Sequence, residues 1–387
     1  MKNILNTTGH KLKFKDFVKS DNCSLFDSTG NRYLDLESGT WCTSIGHCHP
    51  RITKVITEQS SRMIHSGFTY LNPIIDVTAK KILEITGIND GKCVFLSSGS
   101  EAVEYSVQLA RSITDKPIIF TMKDCFLSSL GLSGERSEKN WINFDRSHDD
   151  NLDKVDFSKI AAFVFEPGSS QGIVNFPSVT LIRKIAERTR NSGGLVIINE
   201  VTTGVGRTGE WFGYMHYGII PDIVAMGKGI GNGYPVSCVA MSSSTVNRVD
   251  LEKFHHSQSH QNDPLGAAIA LEVICVIEDD NLLRRSVELG EKIRSNLNRI
   301  KNKYGIIKEV RGRGLMIAVE FEPELNNSVA EIVKERLVEK NIILVKRPGH
   351  EVLRIDPALT IEIKDVEYFL NCFEEIIYDQ FSITKGQ

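Results

Sequence analysis

Between about residues 78 and 245 the sequence alternates short β-rich apolar runs with segments of helical periodicity, and this alternation constrains the fold more than any other feature. The runs are KCVFLSS (92–98), PIIFTM (117–122), IAAFVFEP (160–167), GLVIINEV (194–201), PDIVAMGKG (221–229) and VSCVAMSS (236–243). Among them, SEAVEYSVQLARSIT (100–114) and SVTLIRKIAERTRNSG (178–193) carry apolar residues three and four apart, the spacing of a helix with one buried face. Strand–helix–strand alternation predicts an α/β fold with a mostly parallel sheet covered by helices on both faces. In such sheets ligands bind beyond the carboxyl ends of the strands. Function is therefore sought in the residues just beyond each run.

From about residue 264 the pattern changes. Helices are expected over 265–279 and 284–303, then two short strands, GLMIAVEF (314–321) and VLRIDP (352–357), in a smaller α+β lobe. Near the start, CSLFDSTGNRYLDL alternates as a hairpin turning at Ser28-Thr29-Gly30-Asn31 and is expected to join that lobe. The divisions so drawn are 1–60, 61–263 and 264–387. With 46 basic and 49 acidic residues, the chain lacks the basic footprint of a nucleic-acid-binding protein. No apolar run approaches the roughly 18 residues of a membrane span. The opening MKNILNTTGHKLKFKDF is too polar for a signal-peptide core. The eight cysteines form no CxxC pair and read as reduced thiols of a cytoplasmic protein.

The strand ends carry the chemistry. Ser98-Gly99-Ser100-Glu101 opens a helix, which makes either an anion cradle or an ordinary capped N-terminus. Phe126 follows the run 117–122 and either covers a flat ligand or joins the core. In EPGSSQG, Glu166 and Gln171 face a cleft or cap a turn. Lys228 lies in GKGIGNG, which is not a Walker A loop. A lysine at a dry strand end gives up its proton readily and becomes a nucleophile, whereas a solvated one does not. The spacing Gly204-x-Gly206-x-x-Gly209 matches a dinucleotide-binding loop literally. Polar NEVTT, however, separates it from the apolar run, and EWFGYMHYG is a poor helix, so that reading fails. GHCHP, with His47, Cys48 and His49, and HHSQSH (255–260) look like metal ligands. No fourth ligand has suitable spacing, and no metal is expected.

Together these segments resemble the class III, fold type I aminotransferases that use pyridoxal phosphate, among them the acetylornithine, ornithine and ω-amino acid aminotransferases. SLFDSTGNRYLDLESGTWCTSIGHCHPRI, FLSSGSEAVEYSVQLAR, FEPGSSQGIV, LVIINEVTTGVGRTGEWFGYMHYGIIPDIVAMGKGIGNGYPVSCVAM, SHQNDPLGAAIAL and RGRGLMIAVEFE carry the likeness over nearly the whole chain. The resemblance implies a large cofactor-binding domain and a smaller α+β domain. It makes Lys228 the catalytic residue, joined to the cofactor as a Schiff base and moving the substrate proton. Ser98, Gly99 and Ser100 would hold the phosphate and Phe126 would stack on the pyridine ring. Ser259 falls where the family has a threonine that reaches the neighbouring subunit's phosphate, which implies a homodimer with shared sites. Arg354 matches an arginine that binds a substrate carboxylate, and Trp41 resembles the pocket tryptophan of members that use ω-amines.

The departures from the family gather at the cofactor. Asn199 stands where the family has an aspartate that keeps the ring nitrogen protonated. An amide can bond that nitrogen but cannot form the ion pair, so the ring is expected to be a weaker electron sink. Glu200, next along the strand, points to the other face and cannot substitute. Thr202 replaces a glutamine near the ring hydroxyl, and Leu127 and Ser129 replace a histidine and an arginine after the stacking aromatic. Gln171 replaces a glutamate that masks the arginine at 354, which is expected to leave Arg354 free for substrate. The implied function is transfer of an amino group from an amino acid or ω-amine donor to a keto-acid or aldehyde acceptor. Asn199 favours the alternative of a racemase, aminomutase or lyase of the same fold. A cofactor-binding protein with little catalysis is a third reading, opposed by the intact Lys228 and phosphate segment.

Overall fold

The computed structural model describes residues 3, 5–7, 16–67, 69–146, 149–168, 171–323 and 328–381. Alternating residues near the N-terminus form an antiparallel meander of β1 (Phe17–Asp21), β2 (Ser24–Asp27) and β3 (Arg32–Asp35). Its expected turn forms because the Asp27 carboxylate accepts the N–H groups of Thr29 at 3.0 Å and Asn31 at 2.9 Å, an Asx arrangement that replaces longer-range pairing.

The six apolar runs all form strands of one seven-stranded sheet. They are β4 (Lys92–Leu96), β5 (Ile118–Met122), β7 (Ile160–Phe165), β8 (Leu195–Asn199), β9 (Ile223–Met226) and β10 (Ser237–Met241). The seventh, β6 (Trp141–Phe144), was not expected; it is four residues long and lies at the sheet edge beside β5. The order is β4-β10-β9-β8-β7-β5-β6, and β10 alone runs against its neighbours. Every residue of β7, β8, β9 and β10 is buried, as a sheet covered on both faces requires. The helices Gly99–Thr114 and Val179–Asn191 lie where the periodicity puts them.

The helices Pro264–Asp279 and Leu282–Tyr304 come next. Beyond them lie five strands rather than two: β11 (Ile307–Arg313), β12 (Met316–Phe321), β13 (Ile342–Ile343), β14 (Val345–Lys346) and β15 (Val352–Ile355). β11-β12-β15-β14 form an antiparallel sheet, whereas β13 pairs in parallel with β3, Ile342 opposite Leu34. The N-terminal meander is thus continued by a C-terminal strand. Among the described residues no helix is long and apolar enough to cross a membrane, and all eight cysteines are unpaired.

Candidate active site

The carboxyl ends of β4, β8 and β9 open on a cavity of about 480 Å³. Ser98, Gly99, Ser100, Phe126, Asn199, Thr202 and Lys228 all line it. Ser98 caps the helix Gly99–Thr114: its Oγ accepts the Glu101 N–H at 3.2 Å, and Glu101 in return accepts the Ser97 and Ser98 N–H groups at 3.0 and 3.3 Å. This box satisfies the flanks and leaves the first N–H groups of the helix, those of Gly99 and Ser100, without an intrahelical acceptor. The Ser100 Oγ accepts the Ser129 N–H at 2.9 Å, so its own hydrogen remains for a ligand. Close approach is built in. A Cβ on Gly99 would lie 2.5 Å from Val201, and one on Gly227 would lie 3.0 Å from the Gly99 Cα. The strand end bearing Lys228 is thereby pressed against the helix N-terminus, where an anion is favoured.

Lys228 begins a short 3-10 turn in the left-handed region, with φ of 46°. A non-glycine residue rarely sits there unless its surroundings enforce it. Burial lowers the proton affinity of its amine, with Arg354 acting in the same direction and Cys42 and Glu166 opposing. Asn199 is buried and held at both ends of its amide. Its Nδ2 donates to the Phe126 carbonyl at 3.0 Å and its Oδ1 accepts the Val201 N–H at 3.2 Å. Glu200 does face away, accepting from the Thr203 hydroxyl at 2.7 Å and from the Gly213 and Tyr214 N–H groups at 2.9 and 2.7 Å. Burial pushes its carboxyl up to about 7. Glu166, left open between cleft and turn, is a tie: it accepts from the Thr202 hydroxyl at 3.1 Å and from the Phe126 N–H at 3.3 Å. Leu127 and Ser129 also line this cavity.

A second cavity of about 740 Å³ adjoins the first, and Phe126 and Lys228 line both. Trp41 lies in its wall, with the Lys228 Nζ 4.9 Å and the Arg354 Cζ 3.7 Å from its ring centre. Two expectations need correction. Gln171 does not face Arg354; its Nε2 donates to the Cys125 carbonyl at 3.2 Å, and it lines neither cavity. Nor is Arg354 unpaired, because its Nε lies 3.2 Å from the Asp356 carboxylate. The contact is an ion pair and not a hydrogen bond, since Arg354 Nε and both Asp356 carboxylate oxygens are buried without hydrogen-bond partners. Glu37 also lines this cavity, and burial and then Asp35 push its carboxyl up to about 7.

Ser259 is exposed and lines neither cavity. The adjacent histidines do not converge: His47 bonds Asp35 at 2.8 Å, while His49 occupies the N-cap of the helix Pro50–Arg62. His260 pairs with Asp263 at 3.2 Å. Sequence reasoning missed Cys42 and Tyr234 in the first cavity and Glu37, Lys334, Lys346 and Arg347 in the second. The available signal was adjacency, since Cys42 follows Trp41 and Arg347 precedes the strand of Arg354 by only a short turn.

Residues 6–139 and 133–377 match the family described as aminotransferase class-III. This chain is a class-III aminotransferase. It is 29% identical over 371 residues to the acetylornithine aminotransferase of Nitrosomonas europaea, covering 91% of this chain and 92% of that one. It is also 29% identical over 404 residues to a leucine/methionine racemase of Thermococcus litoralis, covering 94% and 90%. Among solved structures, a transaminase from the marine bacterium Virgibacillus superposes with a TM-score of 0.89 at 26% identity, covering 99% of this chain and 98% of that one. The enzyme is a transaminase that depends on pyridoxal phosphate. The first cavity of this aminotransferase fits that cofactor: a helix N-terminus with open N–H groups suits the phosphate, and a half-buried lysine and an aromatic ring share the same walls.

Proposed function

We propose that Lys228 holds the cofactor as a Schiff base and moves the substrate proton. Ser98, Gly99 and Ser100 bind the phosphate, and Phe126 covers the ring. The observation that carries this reading is that, among the described residues, Lys228 and Phe126 alone line both cavities. When bound, pyridoxal phosphate supplies an aldehyde for the substrate amine and a conjugated ring that accepts the electrons left when the neighbouring C–H bond breaks. The protein's part is positioning and proton transfer. Burial lowers the proton affinity of the Lys228 amine, which favours the neutral form whose Nζ can take a proton from one carbon and return it to another. Trp41 and the guanidinium of Arg354 orient a carboxylate in the second cavity. Phe126, tied through its N–H to Glu166 and its carbonyl to Asn199, limits water at the junction. Asn199 offers the ring nitrogen its remaining Nδ2 hydrogen and no charge.

The donor is an amino acid or ω-amine and the acceptor a keto acid or aldehyde. Ser259, exposed on one protomer, would complete the site of a second copy, so the working unit is a homodimer. The divisions at 60 and 264 are proposed as the domain limits, and the eight unpaired thiols fit a cytoplasmic setting. The test is to add amines and amino acids singly to the holoenzyme while following its visible absorption and assaying for carbonyl product. A transaminase loses the band stoichiometrically with one donor and releases its carbonyl compound. A second reading, racemization, is favoured by the uncharged, doubly held Asn199 and by the likeness to the Thermococcus enzyme. A persisting band, with deuterium entering the substrate at its α-carbon and no carbonyl product, would replace transamination by that reading.

A further inference from the structure

Spacing alone offers HHSQSH (255–260) no further metal ligand, but the fold brings one from elsewhere in the chain. His65, three residues beyond the helix Pro50–Arg62, meets His260 and Asp263. Its Nδ1 lies 3.7 Å from one Asp263 oxygen, and the His260 Nδ1 lies 3.2 Å from the other. All three ligand atoms fall within 4.8 Å of one another. Donors about 2.1 Å from a tetrahedral ion stand roughly 3.4 Å apart, so both histidine–carboxylate spacings are already near that value. The remaining gap, between the histidines, closes by rotation of two exposed side chains. Asp263 is only 9% exposed, and its Oδ1 is buried without a hydrogen-bond partner. It occupies the N-cap of the helix Pro264–Asp279, yet its side chain makes no capping bond, the usual reason for an aspartate there. A buried carboxylate oxygen left unpaired is costly, and a cation between the three side chains removes that cost. The loop that presents them is fixed. Asn262, in the left-handed region with φ of 57°, donates its N–H to the Phe95 carbonyl at 3.0 Å and accepts the Phe95 N–H at 2.9 Å. Gln258 accepts the His260 N–H at 2.7 Å. His260 and Asp263 also line a cavity of about 280 Å³ that shares Tyr234, Pro235 and Val236 with the first, which leaves room for an ion and a water. Two imidazoles and a carboxylate are a donor set suited to zinc.

We propose that His65, His260 and Asp263 bind a divalent ion of the zinc class, with water completing the tetrahedron. The ion ties the segment after the helix Pro50–Arg62 to the loop that carries Ser259. Calorimetric titration of the untagged holoenzyme with zinc chloride, after dialysis against a chelator, tests it. One ion per chain is expected to bind. His65→Ala, His260→Ala and Asp263→Asn should each weaken it by about tenfold or more, since even groups that only orient a ligand change affinity by about 10–100-fold. His350→Ala, which removes an exposed histidine from another loop, should bind zinc as the wild type does. The visible cofactor band of each variant checks that it has folded. X-ray absorption by zinc on the wild-type holoenzyme needs no variant and should show imidazole scattering from nitrogen ligands at about 2.0–2.1 Å. Absence of binding, or a zinc spectrum without imidazole, would overturn the proposal. Binding unchanged in all three ligand variants would overturn it too, and would mark an adventitious ion only.

Discussion

Asn199 shows how much one amide settles. Its nitrogen meets the Phe126 carbonyl and its oxygen meets the Val201 N–H, so both the donor and the acceptor end are used. A carboxylate would set two acceptors facing each other across the 3.0 Å that now separates Nδ2 from the Phe126 carbonyl. Asn199→Asp is therefore expected to cost about 1–3 kcal/mol, the penalty of a buried group left unsatisfied. Thermal denaturation of the protein prepared without cofactor measures it, and an unchanged midpoint would contradict this account of the amide. At this scale the sequence shows residue types but not their partners. Lys228, Asn199 and Thr202 can be picked out because each lies at or just beyond a strand end. That Thr202 and the Phe126 N–H share Glu166 cannot, because those three residues come from separate segments. Arg354 looks free in the sequence because nothing there shows Asp356, two residues along the chain, folding back on its Nε.

Among elements, the turn after β8 depends on Glu200. Its carboxylate accepts from Thr203 and from two N–H groups at the start of the 3-10 turn Gly213–Tyr217. Glutamine there would direct an amide N–H₂ at a donor, and Glu200→Gln is expected to lower stability at neutral pH by about 1–3 kcal/mol. The raised carboxyl also sets a pH dependence. Glu200 ionises near 4.5 when unfolded and near 7 when folded, so between those values the unfolded chain binds fewer protons and wild-type stability falls as pH rises. The variant lacks that slope, so its deficit in melting temperature should narrow from pH 4.5 to 7; a constant or widening deficit would count against it. Legibility of the elements tracks length and burial. β7 to β10 announce themselves as continuous apolar runs. β6 and the two-residue strands β13 and β14 are too short to show any period, and only their pairing partners define them.

For the whole molecule, strand–helix alternation is enough to predict the layered α/β architecture, because few arrangements bury such runs on both faces. The smaller sheets are only sketched in the sequence, and with them the second cavity. Its walls bring Trp41, which lies beyond the N-terminal meander, to Lys228 from the large sheet and Arg354 from the C-terminal one. Residues so far apart in sequence meet only through the fold. The central claim is that this convergence exists to place one lysine between cofactor and substrate. The most direct test is borohydride reduction of the holoenzyme, proteolysis and mass spectrometry of the peptide that carries reduced cofactor. The account predicts a single labelled peptide containing GKGIGNGYPV, with the adduct on Lys228, and no label in Lys228→Ala. A labelled peptide from elsewhere in the chain, or reducible cofactor persisting in the variant, would contradict it.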